Sequence, residues 1–204
     1  MWRKTVRWVA VAILMLLTFT QSWRGSRAQS YQYFAFLPIV AKPCPVHSFI
    51  QDGGMEAGAP NPHWAVSSSQ FSDVLDDSPD PAAHTGAWKA WMGGDNNVTE
   101  VISQTFAIPA GVTQFTLRYW VWIDTQDGAG GDTLAVQLRN AAGGVIATLD
   151  ALSDASNIPT WTERVITFTA PAASALQLAF LAQTDALDPT SFFVDDVSLN
   201  AVCN

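Results

Sequence analysis

The sequence predicts an all-β protein, an antiparallel β-sandwich of the jelly-roll type with about nine or ten strands. Apolar residues recur at every second position over much of the chain, turn-forming residues punctuate these runs at short intervals, and no long stretch carries the 3.6-residue period of an amphipathic helix. Phe115, Leu117, Tyr119, Val121 and Ile123 alternate with Thr116, Arg118, Trp120 and Trp122. Leu134, Val136 and Leu138 alternate with Ala135, Gln137 and Arg139, and Leu176, Leu178 and Phe180 alternate with Gln177, Ala179 and Leu181. Between them stand Pro109-Ala-Gly111, Asp127-Gly-Ala-Gly-Gly131, Ala142-Gly-Gly144 and Pro171.

The last strand carries acid. Phe193, Asp195, Val197 and Leu199 fall on one face of an extended 192–199 segment, so the pattern points Asp195 inward among core-type residues. A buried carboxylate needs a cation, a hydrogen-bond cluster or a shifted pKa. Asp52-Gly-Gly-Met-Glu56, near the other end of the domain, offers Glu56 as a second ligand, which would tie the first strand to the last.

The N-terminus resembles a secretory signal. Arg3, Lys4 and Arg7 precede an apolar run from Trp8 to Thr20, and Ser26-Arg27-Ala28 places small residues at a cleavage site. The run is short for a bilayer span, although an uncleaved anchor is the alternative. The domain plan is then a leader over 1–28, an extended proline-punctuated lead-in over 29–43 and one domain over 44–204. Cleavage would remove five of the ten Lys and Arg and none of the 18 acids, taking the formal charge from −8 to −13. Such a surface repels nucleic acid and anionic membranes, so no nucleic-acid partner and no stable membrane insertion after cleavage are expected. Fifteen of the 18 acids are Asp, mostly in turns, where local backbone bonding is their ordinary role. Cys44 and Cys203 bracket the domain, and in an exported chain they read as a disulfide.

The series Asp52-Gly-Gly-Met-Glu56, Trp64, His84-Thr-Gly-Ala-Trp88, Ser103-Gln-Thr-Phe106, Ile108-Pro-Ala-Gly111, Tyr119-Trp-Val-Trp122, Trp161 and Phe192-Phe-Val-Asp-Asp-Val-Ser-Leu199 resembles a galactose-binding-like jelly roll. It is similar to carbohydrate-binding modules of families four and nine, to MAM domains and to C-terminal modules of immune-inhibitor-A-type peptidases. The resemblance covers roughly residues 47–200 and implies a scaffold shared by proteins with different partners. It also implies a structural Ca²⁺ held by an early Glu and a late Asp with backbone carbonyls, here Glu56 and Asp195. Asp196, on the opposite strand face, is the weaker candidate. Hard oxygen ligands of this kind suit Ca²⁺ over Zn²⁺.

If Tyr119 and Val121 face the core, Arg118, Trp120 and Trp122 face away from it. Exposed aromatic rings mark binding surfaces and can stack on sugars, and Arg118, Gln137 and Arg139 could bond hydroxyls. The competing reading is that a loop, the tryptophan-containing 84–92 segment, covers this face. Trp64, Trp88, Trp91 and Trp161 read as core or rim residues. His47, His63 and His84 lack metalloprotease spacing, and no Gly-x-Ser-x-Gly elbow or cysteine-nucleophile setting occurs. The sequence leaves two function classes. One is a secreted non-catalytic module binding glycan at a cell surface, and the other an accessory module packing against an extracellular protein.

Overall fold

The computed structural model describes residues 47–126 and 131–202. The leader, the lead-in and both cysteines lie outside the described residues. Among the described residues ten strands form, all within the compact unit Lys42–Asn204. They are β1 (Ala65–Ser68), β2 (Leu75–Asp76), β3 (Lys89–Gly93), β4 (Thr99–Ala107), β5 (Gln114–Thr125), β6 (Thr133–Asn140), β7 (Val145–Ser153), β8 (Thr162–Thr169), β9 (Ala175–Gln183) and β10 (Thr190–Ala201). Sheet I has the order β1-β4-β9-β6-β7 and sheet II the order β2-β3-β10-β5-β8. Every pairing is antiparallel. The fold is the expected all-β sandwich.

The core lies between the sheets, where the alternating residues meet. Phe115, Leu117, Tyr119, Val121 and Ile123 of β5 face Leu134, Val136 and Leu138 of β6 and Leu176, Leu178 and Phe180 of β9, all buried. Each such side chain contributes roughly 1.5–3 kcal/mol through burial, which fixes strand register because a one-residue slip would expose the whole set. Tyr119 also carries a polar tip into this apolar layer. Its hydroxyl donates to Asp150 Oδ2 on β7 at 2.8 Å, and Arg164 on β8 holds the same carboxylate at 2.9 and 3.1 Å. β7 and β8 are the edge strands of opposite sheets, so the cluster closes one open side of the sandwich. Burial opposes ionisation of Asp150, but the bonds from Arg164 and Tyr119 outweigh it and hold the carboxyl below its ordinary range.

A fully buried acid, Glu100, ties the sheets together on the other side. It accepts from Gly93 N–H at the end of β3 (2.7 Å) and from Ser68 Oγ of β1 (2.8 Å). Burial pushes its carboxyl upward, and the two donors only partly offset that. A raised folded-state value means that the native protein holds a proton the unfolded chain releases. Stability should therefore decrease as pH rises through the folded value. Glu100→Gln keeps an acceptor for Gly93 and is expected to abolish that part of the decrease in thermal melts at successive pH values. An unchanged pH profile in the variant would contradict this.

β10 departs from simple alternation. Asp195 pairs with Trp120 and Ser198 with Arg118, so Asp196 and Val197 together oppose the single residue Tyr119. This is a β-bulge, and Asp196 takes a left-handed backbone with φ 48°. Phe192 and Val194 face the core before it, and Val197 and Leu199 face the core after it. Asp195 therefore does not share a face with Val197, as strict period-two reading places it. It shares the outer face of Phe193 and is fully buried there beneath a loop. Asp196 joins it on that side instead of facing the opposite way.

Candidate functional site

The Asp52–Glu56 segment makes a tight turn, closed by Met55 N–H to Asp52 C=O at 3.0 Å. Met55 is buried in the core and Trp64 Nε1–H caps the Asp52 carbonyl at 2.8 Å. Gly53 lies against the β10 bulge, with Val197 N–H donating to its carbonyl at 2.9 Å. The first acidic segment and the last strand thus meet. A methyl group at Gly54 would stand 3.4 Å from Asp196 Oδ1, 3.7 Å from Glu56 Cγ and 3.8 Å from Asp195 Oδ1.

All three carboxylates grip one loop, residues 84–88. Glu56 accepts from Ala87 N–H at 3.0 and 3.1 Å and from Trp88 N–H at 3.0 Å. Asp195 accepts from Thr85 N–H at 3.1 Å and from Asp196 N–H at 2.7 Å. Asp196 accepts from Thr85 Oγ1 at 2.7 Å and meets His84 Nδ1 at 2.5 Å. Gly86 is needed here, because a side chain would meet Glu56 Oε1 at 2.2 Å and the backbone has φ +67°. Burial pushes Asp195 up to about 6, the neighbouring Asp196 charge adds to that, and the backbone donors pull the other way. The donor set is all oxygen, which fits a hard cation such as Ca²⁺; Glu56 Oε1 already accepts from both Ala87 and Trp88 N–H. In this arrangement the oxygens are turned onto the loop. Among the described residues no three His, Cys, Asp or Glu side chains form a metal-ligating cluster.

Held in this way, the loop lies across the outer face of sheet II. His84 stacks on Trp120, with ring centroids 3.7 Å apart and planes at 15°. Trp161, from the β7–β8 connection, meets Trp122 edge-on at 6.1 Å and His84 at 5.9 Å, and its Nε1–H donates to Ala82 C=O at 3.0 Å. The aromatic contacts continue from Trp122 to Phe193 at 6.2 Å and from Phe193 to Trp91 at 5.7 Å. A ladder of rings thus crosses β5, β10 and β3. Its Trp120 end is covered, which is the competing reading of this face with Trp161 added, and its Trp91 end is 38% exposed.

The structure divides the contact face drawn from sequence. Arg118, Trp120 and Trp122 sit together on β5 in sheet II, where Arg118 pairs with Glu163 of β8 at 2.8 Å. Gln137 and Arg139 sit on β6 in sheet I, pointing out from the opposite side of the sandwich, with Arg139 bonded to Gln137 Oε1 at 2.9 and 2.7 Å. Strand parity gives the face of a strand but not the sheet that receives it, and the consecutive strands β5 and β6 fall in different sheets. Sequence reasoning also missed Trp91 as an exposed ring. The signal was present, because Ala90 and Met92 are core-type residues that turn Trp91 outward.

No family model and no curated protein matches the chain. Solved structures do. TmCBM61, determined in complex with β-1,4-galactotriose, aligns over 76% of this chain and 99% of its own, with TM-score 0.57 and 18% identity. The K1 cleaved adhesin domain of Lys-gingipain from Porphyromonas gingivalis W83 aligns over 74% and 96%, with TM-score 0.55 and 14% identity. A family 16 carbohydrate-binding module aligns over 74% and 98%, with TM-score 0.50 and 21% identity. The chain therefore has the β-sandwich fold that these carbohydrate-binding modules and this adhesin domain share.

Proposed function

We propose that the protein is an exported, non-catalytic carbohydrate-binding module that contacts glycan through the aromatic side of sheet II. The observation that carries this reading is the ring ladder on an outer sheet face, open at Trp91, on a fold found in carbohydrate-binding modules. Tryptophan faces stack on the C–H faces of sugars, and each such contact contributes on the order of 1 kcal/mol beyond its buried area, so short oligosaccharides should bind weakly. Arg118 stands beside the ladder on the same face, exposed enough to bond hydroxyls. Gln137 and Arg139 belong to the other face and are left out of this contact. The negative charge disfavours polyuronates. A glycan array with wild-type protein and Trp122→Ala tests the reading: saturable signals weakened in the variant are expected. Silence of a folded wild-type protein across the array would favour the accessory-module reading, which the stacking of His84 on Trp120 and the contact of Trp161 with Trp122 also support.

We further propose a structural Ca²⁺ held by Glu56 and Asp195, with Asp196 as an additional carboxylate. When bound, the ion would offset the clustered negative charge and tie the Asp52–Glu56 turn to β10. A ligand present at a hundred times its Kd stabilises the native state by about 2.7 kcal/mol, so chelation should lower the melting temperature. Asp195→Asn should remove most of that sensitivity and Asp196→Asn less of it. Protein free of calcium by elemental analysis, with a melting temperature indifferent to chelator, would leave the loop N–H groups as the carboxylates' partners.

A further inference from the structure

The open end of the ring ladder is a cleft. Phe71 and Trp91 are 44% and 38% exposed, and with Asp73, Asp76, Gly93 and Asp95 they line a space of about 370 Å³. That volume lies in the range of small-molecule sites. Its walls are positioned. Trp91 Nε1–H donates to Ser191 Oγ at 2.9 Å, and Gly94 (φ +78°) clears it, since a side chain there would lie 2.8 Å from that nitrogen. Phe71 N–H is held by Ser68 Oγ at 2.9 Å.

The acids of the cleft differ in their state of pairing. Asp76 is neutralised by the buried Lys89 at 2.6 Å. Asp73 uses Oδ1 on the Val74 and Leu75 N–H groups, and Asp95 uses Oδ1 on Asn96 N–H. Among the described residues the Oδ2 of each has no hydrogen-bond partner, and no Lys or Arg lines the cleft. Two aromatic rings beside two uncompensated carboxylates favour a ligand with an apolar face and a positive charge. Cation–ring attraction and the carboxylates then act in the same direction. A neutral sugar would leave the charges unmatched, and a uronic acid would be repelled.

We propose that the Phe71–Trp91 cleft is a glycan subsite selective for a protonated amino sugar, its ring against Trp91 and Phe71 and its ammonium between Asp73 and Asp95. This rests on the glycan-binding reading above and adds the class of sugar.

Calorimetric titration tests it with three probes, the fully deacetylated β-1,4-glucosamine tetramer, its N-acetylated counterpart and β-1,4-galactotriose. At about pH 6 the amine is protonated, and low salt preserves the charge contribution. The deacetylated tetramer should bind about tenfold more tightly than the acetylated one. Trp91→Ala and Phe71→Ala should each weaken it, and the Asp73→Asn/Asp95→Asn double variant should bring it to the acetylated level. Asn retains Oδ1, so the turn bonds persist, and circular dichroism melts check the fold of each variant. Equal binding of both tetramers, lost in Trp91→Ala, would overturn the charge selection and leave glycan binding standing. Amine binding that survives all these substitutions would overturn the cleft as its site. A lysine tetrapeptide that binds as tightly with the same variant sensitivity would make this a peptide site and overturn the sugar. Absence of binding to all three probes by a wild-type protein that binds other glycans on an array would overturn the subsite alone. Absence on the array as well would overturn both.

Discussion

Tyr119→Ala is expected to lower stability by about 3–5 kcal/mol, near the upper end for a single core substitution. The ring is fully buried, packs edge-on against Phe180 at 5.2 Å, and its hydroxyl supports Asp150 at 2.8 Å. Truncation leaves a cavity between the sheets and removes one of the donors that make Asp150 tolerable at the sandwich edge. Tyr119→Phe isolates the hydroxyl. It should cost about 1–2 kcal/mol, because Arg164 still holds both carboxylate oxygens. Urea denaturation at neutral pH measures both variants. A loss below about 1 kcal/mol in the alanine variant would contradict the central packing role given to this side chain.

Gly53→Ala is the second large effect, and its cause is contact with backbone. A methyl group at this position would lie 1.9 Å from the Val197 carbonyl oxygen and 2.9 Å from its carbon. No rotamer change relieves such a clash, so either the turn or the bulge must shift. That displaces Val197 from the core and moves Asp195 and Asp196 away from the loop they hold. A loss of about 3 kcal/mol or more is expected, above the usual cost of overpacking. Gly54→Ala is the control, because its methyl group meets nothing closer than 3.4 Å. It should change stability by less than about 1 kcal/mol. Equal effects at the two positions would show that the turn does not depend on its approach to β10.

The strands with uninterrupted alternation were legible from sequence, because burial of one face is all that their pattern encodes. β5, β6 and β9 bury the residues expected of them. β10 was misread at one point. The left-handed Asp196 inserts a residue without breaking the apolar look of the segment, and every side chain past it changes face. Asp195 is buried as expected, but under a loop. The division of the proposed contact face has a different origin. Gln137 and Arg139 point outward in register with expectation, yet the connection after β5 carries the chain to the opposite sheet, a long-range outcome that no local period records. His84 over Trp120 is likewise a contact made across the fold, set by carboxylates far away in sequence. Trp91 could have been assigned from its neighbours, as Ala90 and Met92 claim the core face between them.

Recognition of glycan on the aromatic side of sheet II has a spectroscopic signature. Proton–nitrogen correlation spectra, recorded during titration with a glycan retained on the array, resolve it, because each tryptophan indole gives its own signal. The Trp91 indole signal and the backbone signals of Phe71, Gly94 and Phe193 should move with ligand, while those of Gln137, Arg139 and Gln177 on sheet I stay in place. Shifts confined to the sheet I residues, with the Trp91 indole unmoved at saturation, would contradict it.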